Sequence, residues 1–313
     1  MKNNLSKKNE LATVKDLLAW ATENNRAVCG FNVNNMELIQ SVTRAADELG
    51  VPVILQISKG ARNYASFNYL VKLVKAAVSE CSVPFALHLD HGDSFELCKE
   101  ALDSGFTSVM IDGSHLPFEE NIELTKRVVE YANKTDASVE GELGVIGGIE
   151  EEKQNDKSLY TDPSVVAEYI TRTGVSSLAI SIGTAHGAHK YKSDPNLRLD
   201  ILAEIQKAAP NMPLVLHGAS SVTPHDIEII NNHGGAIKGA LGAHESVLAK
   251  TIDLGVRKIN IDSDLRLAFT AELRQYMHKN PAEFDPRAYL GSVRLYVKEL
   301  VKKKLQFFTV SQK

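Results

Sequence analysis

Short runs of aliphatic and β-branched residues alternate along the chain with longer amphipathic stretches, the pattern of repeated strand–helix units that feed a parallel sheet. The runs at 27–33, 52–58, 85–90, 108–112, 138–142, 177–182, 213–217 and 258–262 read as strands. Between them, segments such as 36–49, 67–78, 95–104 and 121–134 carry apolar residues at helical spacing. Ser94 and Thr223 suit helix N-caps, and Gly50, Gly105 and Gly174 suit helix ends. Eight strands, each followed by a helix, predict an α/β chain closed into a (β/α)8 TIM barrel. An open doubly wound sheet is the alternative, but no Gly-x-Gly-x-x-Gly turn follows the first strand. Residues 1–25 predict an extra N-terminal helix, and 287–307 an added C-terminal helix after Asp285-Pro286. The whole of 1–313 reads as a single barrel domain, a normal length for this architecture.

Two connections exceed a simple loop. Residues 144–162 combine paired glycines with a charge run, and a connection this long is either disordered or functional. Gly147-Gly148 reads as the hinge of a lid at the top of the fifth strand. The other long connection is 233–257, ahead of the last strand.

Composition narrows the classes. Hydrophobic residues make up 43% and charged residues 24%, as in ordinary globular proteins, and the net charge of −4 offers no footprint for nucleic acid or anionic membrane. No apolar run approaches the roughly 20 residues needed to span a bilayer. The polar N-terminus shows no secretory signal, and Cys29, Cys81 and Cys98 read as free thiols of a reducing compartment. A cytoplasmic location is the expectation.

The candidate chemistry collects at strand ends, where barrels of this kind build their sites. Asn32, Ser58, Asp90, His91, Asp112, Glu142, His186, His217, Asn260 and Asp262 all fall there, with apolar strands expected behind them. One such residue suits a satisfied core position; ten suggest a shared pocket. His91, His186 and His217 at three strand ends could meet around one Zn²⁺ and leave a coordination position open, as a catalytic zinc requires. Asp90, beside His91, suits a general acid/base or a carboxylate that orients an imidazole. Gly183-Thr184-Ala185-His186-Gly187-Ala188-His189-Lys190, His217-Gly218-Ala219-Ser220-Ser221 and Asn260-Ile261-Asp262-Ser263-Asp264 pair glycine or hydroxyl groups with loops that commonly hold phosphate in this fold. Arg266 and Arg287 are candidates for a second anion. A Schiff-base route would need a lysine in an apolar strand end, and Lys59 and Lys190 do not supply one. A metal-assisted reaction next to a carbonyl is favoured, with a zinc hydrolase as the rival class.

With these residues in view, the chain resembles the class II, zinc-dependent fructose-bisphosphate aldolases over nearly its whole length. The matching motifs are His-Leu-Asp-His-Gly at 88–92, Ser-Val-Met-Ile-Asp-Gly-Ser at 108–114, Glu-Gly-Glu-Leu-Gly at 140–144 and Gly-Thr-Ala-His-Gly at 183–187. Leu-His-Gly-Ala-Ser at 216–220, Lys-Ile-Asn-Ile-Asp-Ser-Asp at 258–264 and Phe-Asp-Pro-Arg at 284–287 complete the set. The resemblance implies reversible cleavage of fructose 1,6-bisphosphate into dihydroxyacetone phosphate and glyceraldehyde 3-phosphate. It implies zinc on His91, His186 and His217, Asp90 as the acid/base at the C4 hydroxyl, and Asp112 and Glu142 as a second or alternate metal position. Gly187, Lys190, Gly218, Ser220, Asp262 and Ser263 would hold the dihydroxyacetone phosphate half's phosphate, with Asn260 near the reacting carbons. Ser58, Arg266 and Arg287 would hold the other phosphate, Arg287 reaching in from a neighbouring subunit of a homodimer or homotetramer. The resemblance also implies a monovalent cation, Na⁺ or K⁺, near the first phosphate, and a lid glutamate, Glu151 or Glu152, that moves a proton. The tagatose-bisphosphate enzymes are the alternative; their strand-eight motif lacks the aspartate found here as Asp262.

Overall fold

The computed structural model describes residues 10–150, 153–155, 159–186, 197–238 and 242–310, with the side chains of 147–150, 153–155 and 186 set aside. Eight parallel strands close into a barrel. They are β1 (Val28–Asn32), β2 (Val53–Ser58), β3 (Phe85–Gly92), β4 (Ser108–Ile111), β5 (Ser138–Leu143), β8 (Ser177–Ile180), β10 (Leu214–Leu216) and β11 (Val256–Ile261). Chain order runs round the barrel, and β1 pairs with β11 to close it, for instance Gly30 with Asn260. Each strand leads into a helix: α2 (Met36–Leu49), α3 (Lys59–Ser79), α4 (Phe95–Asp103), α5 (Phe118–Ala132), α6 (Pro163–Thr173), α7 (Leu199–Ala208), α8 (Pro224–Asn232) and α10 (Ser263–Lys279). The (β/α)8 barrel expected from the hydrophobic pattern is the fold.

Local chemistry explains the helix bounds. Ser94 accepts a hydrogen bond from the Leu97 amide at the start of α4, while Gly50 and Gly174 end α2 and α6 in the left-handed conformation that glycine adopts without strain. Thr223 occupies the N-cap position of α8 but makes no capping hydrogen bond through its side chain. In α3, Ser66 breaks the helical dihedrals, so the helix read at 67–78 is the second part of a longer kinked element whose first turn Ser58 caps.

Alternate strand residues point to opposite faces, so each barrel strand presents one face to the helices and one to the barrel interior. Cys29, Phe31, Leu55, Ile57, Leu87 and Leu89 join the large core shared with the helices. At the amino ends of the strands Val28, Ile54 and Ala86 pack instead against α1 (Val14–Glu23), through Val14, Leu17, Leu18 and Ala21. Helix α1 therefore seals the floor of the barrel, tied on by the Ala12 amide to the Phe85 carbonyl at 2.8 Å. Helix α11 (Pro286–Phe308), the added C-terminal helix that the pattern predicted, packs along α2 and α10.

The two long connections depart from the sequence reading. Residues 147–150 form β6 (Gly147–Glu150), which pairs antiparallel with β7 (Lys153–Asn155) and parallel with β9 (Ala185–His186). Gly147-Gly148 is thus part of a small sheet, not the hinge the glycine pair predicted. Glu151 and Glu152 lie outside the described residues. The 233–257 connection holds its own helix, α9 (Glu245–Ile252).

Candidate active site

The site starts from a distortion in β3. Asp90 and His91 are neighbours, and in a regular strand their side chains would point to opposite faces. The β3–β4 pairing shifts register between Leu89 and Gly92, three residues of β3 spanning two of β4, and His91 takes a positive φ of 49°. Such a bulge re-aims side chains, and a left-handed non-glycine residue costs strain that persists where the surroundings enforce it. As a result Asp90 and His91 reach the same site at the carboxyl end of the barrel.

Ligand atoms of Asp90, His91 and His217 all lie within 4.8 Å of one another, and those of His91, Asp112 and Glu142 form an overlapping group. The rings of His91 and His217 meet edge to face with centroids 4.4 Å apart. His91 Nδ1 is 3.8 Å from Asp112 Oδ2 and 3.9 Å from Glu142 Oε2. His217 follows β10 directly, and its Nε2 donates to Glu140 Oε1 at 2.7 Å while Nδ1 accepts from Asn260 Nδ2 at 3.0 Å. That pairing sets the proton on Nε2 and turns Nδ1 toward Asp90 Oδ1, 3.9 Å away.

Burial, reinforced by the neighbouring His91, pushes the His217 imidazole well below its ordinary pKa, so the ring is neutral and able to bind a metal. Burial opposes the charge on Asp90, but His91, His217, Lys258 and the Asn32 amide outweigh it and hold the carboxyl below its usual range. Asn32 Nδ2 donates to Asp90 Oδ2 at 2.7 Å and Asn260 Nδ2 to Oδ1 at 3.1 Å. Gln56 Nε2 in turn donates to Asn32 Oδ1 at 2.9 Å. Both oxygens of an ionised Asp90 are thereby oriented.

Imidazole nitrogens and carboxylate oxygens converging at this spacing suit a divalent metal of the zinc type. The buried Oδ1 of Asn260, which has no hydrogen-bond partner among the described residues, adds a polar atom to the same site. The third predicted ligand, His186, has its backbone in β9, beside the loop of the second: a Cβ on Gly218 would stand 2.6 Å from the Ala185 carbonyl oxygen. The His186 side chain, Gly187, His189 and Lys190 lie outside what is described.

Beside this centre opens a cavity of about 390 Å³ lined by Ser58, Lys59, His91, Asp93, Asp262 and Arg266 among others. Arg266 Nε pairs with Asp262 Oδ1 at 2.8 Å across one helical turn, and the Asp262 amide donates to Ser220 Oγ at 3.2 Å. Ser58, Gly218, Ser220, Asp262, Ser263 and Arg266 thus collect on one rim, Ser263 as the first residue of α10. Arg287 is not brought to the cavity: its side chain is 90% exposed at the start of α11 and pairs with Asp285 at 2.7 Å.

Behind the rim the expectation of apolar strands fails. His88, Glu140 and Lys258 are fully buried inside the barrel. Lys258 Nζ donates to Glu140 Oε2 at 2.7 Å and to His88 Nε2 at 3.1 Å, and His88 Nδ1 meets Ser108 Oγ at 2.9 Å. A hydrogen-bonded chain therefore runs from Ser108 through the barrel to His217. Gly30 makes room for it, since a Cβ there would meet the Gln56 side chain at 2.0 Å and Lys258 Cε at 3.3 Å. The signal was in the sequence as period-two alternation: Gln56 before Ser58, His88 before Asp90, Glu140 before Glu142, Lys258 before Asn260. Lys258 is a buried strand lysine, but its partners hold it as an ion pair, while Lys59 at the cavity mouth pairs with Asp93 at 2.7 Å.

Comparison with known proteins agrees with this geometry. A family model described as "Fructose-bisphosphate aldolase class-II" matches residues 12–313. The chain is 47% identical over 300 residues to the fructose-bisphosphate aldolase of Thermus caldophilus, covering 95% of this chain and 98% of that one. It is 45% identical over 309 residues to the fructose-bisphosphate aldolase of Treponema pallidum, covering 93% of each. The crystal structure of the YdjI aldolase from Escherichia coli K12 superposes with a TM-score of 0.77 at 32% identity, covering 96% of this chain and 98% of that one. The chain belongs to the class II fructose-bisphosphate aldolase family, whose members are metal-dependent lyases.

Proposed function

We propose that this protein cleaves fructose 1,6-bisphosphate reversibly into dihydroxyacetone phosphate and glyceraldehyde 3-phosphate, with zinc as its metal. The observation that carries the reading is the convergence of an ionised Asp90 with His91 and neutral His217 beside a cavity that also holds Ser58, Asp262 and Arg266. His91, His186 and His217 would hold the zinc, and Asp112 and Glu142, both facing His91, would offer a second or alternate position. When bound, the metal supplies Lewis-acid polarisation of the substrate's carbonyl.

The protein's own residues do the rest. Asp90, oriented by Asn32 and Asn260, takes the proton of the C4 hydroxyl as the C3–C4 bond breaks. The bond's electron pair passes to the ketone half, which would then take a proton at C3 from Glu151 or Glu152; in condensation that glutamate would remove the C3 proton and Asp90 returns its proton to the new hydroxyl. Asn260 also touches His217, so one side chain couples acid/base group and metal ligand. Gly187, Lys190, Gly218, Ser220, Asp262 and Ser263 would take the phosphate of the ketone half, with Na⁺ or K⁺ nearby. Ser58 and Arg266 would take the phosphate of the aldehyde half. Arg287, exposed and not among the residues that line the cavity, fits a contribution to a neighbouring subunit's site in a homodimer or homotetramer.

The test is product analysis with zinc-loaded protein: fructose 1,6-bisphosphate should yield the two triose phosphates in equal amounts and faster than tagatose 1,6-bisphosphate does. Preferred cleavage of the tagatose epimer would overturn the substrate. Release of inorganic phosphate without carbon–carbon cleavage would replace the aldolase by a hydrolase.

A further inference from the structure

The loop after β10 is held from behind by a charge cluster that no step above uses. Asp264, fully buried in the first turn of α10, accepts from the Val222 amide at 2.7 Å and from the Ser221 amide at 3.0 Å. Lys304, buried on α11, places its ammonium 2.8 Å from Asp264 and 2.7 Å from Glu245 at the start of α9, and also donates to the Ser221 hydroxyl. The last three helices of the chain therefore converge on two consecutive residues of one loop. That loop needs holding. Val222 has a positive φ of 50°, unfavourable for a β-branched residue. The backbone of Gly242 presses so closely that a Cβ would stand 2.3–2.4 Å from Ser220 and Ser221 atoms. The next residue back, Ser220, contacts Asp262 at the rim.

We infer that Lys304 is a positioning residue for the phosphate cradle, locking the 218–222 loop through Asp264 and neutralising the two carboxylates behind it. The inference rests on the phosphate role of Gly218 and Ser220 proposed above. Its logic is electrostatic as well as geometric: a phosphate is a dianion, and without the ammonium it would approach a loop backed by two carboxylates that have lost this cation. Lys304 touches neither substrate nor metal, so its removal acts on phosphate binding and not on the bond-breaking step.

The experiment compares zinc-loaded wild type with Lys304→Met, reading KM and kcat for fructose 1,6-bisphosphate, zinc content, and the Kd of inorganic phosphate by calorimetry. The expected result is a rise of about tenfold in both KM and phosphate Kd, the scale of one lost charge-assisted hydrogen bond, with kcat within about twofold and zinc full. A purely structural role would lower thermal stability and leave both constants at wild-type values, which would overturn the inference; so would a fall in kcat at unchanged KM. Should Lys304→Met not fold, Glu245→Gln at the partly exposed edge of the cluster keeps an acceptor for Lys304 but removes one of the two negative charges, so it is expected to lower both constants about threefold, and no fall would overturn the inference equally. The calorimetry stands apart from turnover. Wild type that binds phosphate but does not cleave the sugar sinks the aldolase reading, and leaves the clamp to be judged on phosphate affinity.

Discussion

The two ends of this barrel are built from the same strands and obey different rules. At the floor, Val28, Ile54 and Ala86 meet the apolar face of α1, and regular strand geometry is kept. At the rim, the same three strands present Asn32, Ser58 and Asp90, and β3 breaks its register so that His91 joins them. Between the two lies the charged chain of His88, Lys258 and Glu140. The floor shows how the barrel is closed with apolar area; the rim shows polar groups and backbone strain concentrated where chemistry is needed.

The largest effect that would test this division is at the rim. His217→Ala removes a proposed ligand and should abolish both zinc content and cleavage, measured by metal analysis and coupled assay; retained zinc would place the metal elsewhere. Next comes Asp90→Ala, which should lower kcat by about 10²–10⁴-fold while zinc stays full, as for a positioned acid/base group. Loss of metal in that variant would instead make Asp90 a residue that orients the ligands. Glu140→Gln acts one layer deeper. It weakens the acceptor for His217 Nε2–H and should reduce zinc affinity by about 10–100-fold in competition with a chelator.

Smallest in its effect on turnover is the floor. Leu17→Ala deletes a buried side chain under the barrel and should cost about 2–5 kcal/mol of stability in denaturant titration. Activity per folded molecule at low temperature should stay within about twofold, since Leu17 packs in the apolar cluster of the barrel floor, at the opposite end from the rim. A large loss of kcat there would break the separation between the two ends.

The contrast also explains what the sequence made legible. All eight barrel strands could be placed from apolar runs because the helix-facing half of every strand, such as Cys29 and Phe31 or Leu87 and Leu89, is hydrophobic. The end of α2 was readable because Gly50 caps it. Polar strand ends pointed to Asp90, His91, Asp112, Glu142, His217 and Asn260. The buried chain was not seen, because a run containing Leu87 and Leu89 reads as apolar even when His88 alternates with them into the barrel. The bulge at His91 depends on strand pairing, which a single run does not encode. The sheet formed by 147–150 depends on a partner at 185–186, far along the chain, so its glycines read as a hinge. Arg287 matched a motif, but its distance from the cavity is a property of α11 and of any neighbouring subunit.

The most direct measurement is cleavage of fructose 1,6-bisphosphate, coupled to detection of triose phosphate, before chelation with EDTA, after it, and after Zn²⁺ is returned. The expected result is activity that is lost on chelation and restored by zinc. Full activity surviving thorough metal removal would contradict it, because the site around His91 and His217 would then not be the place where the bond is broken.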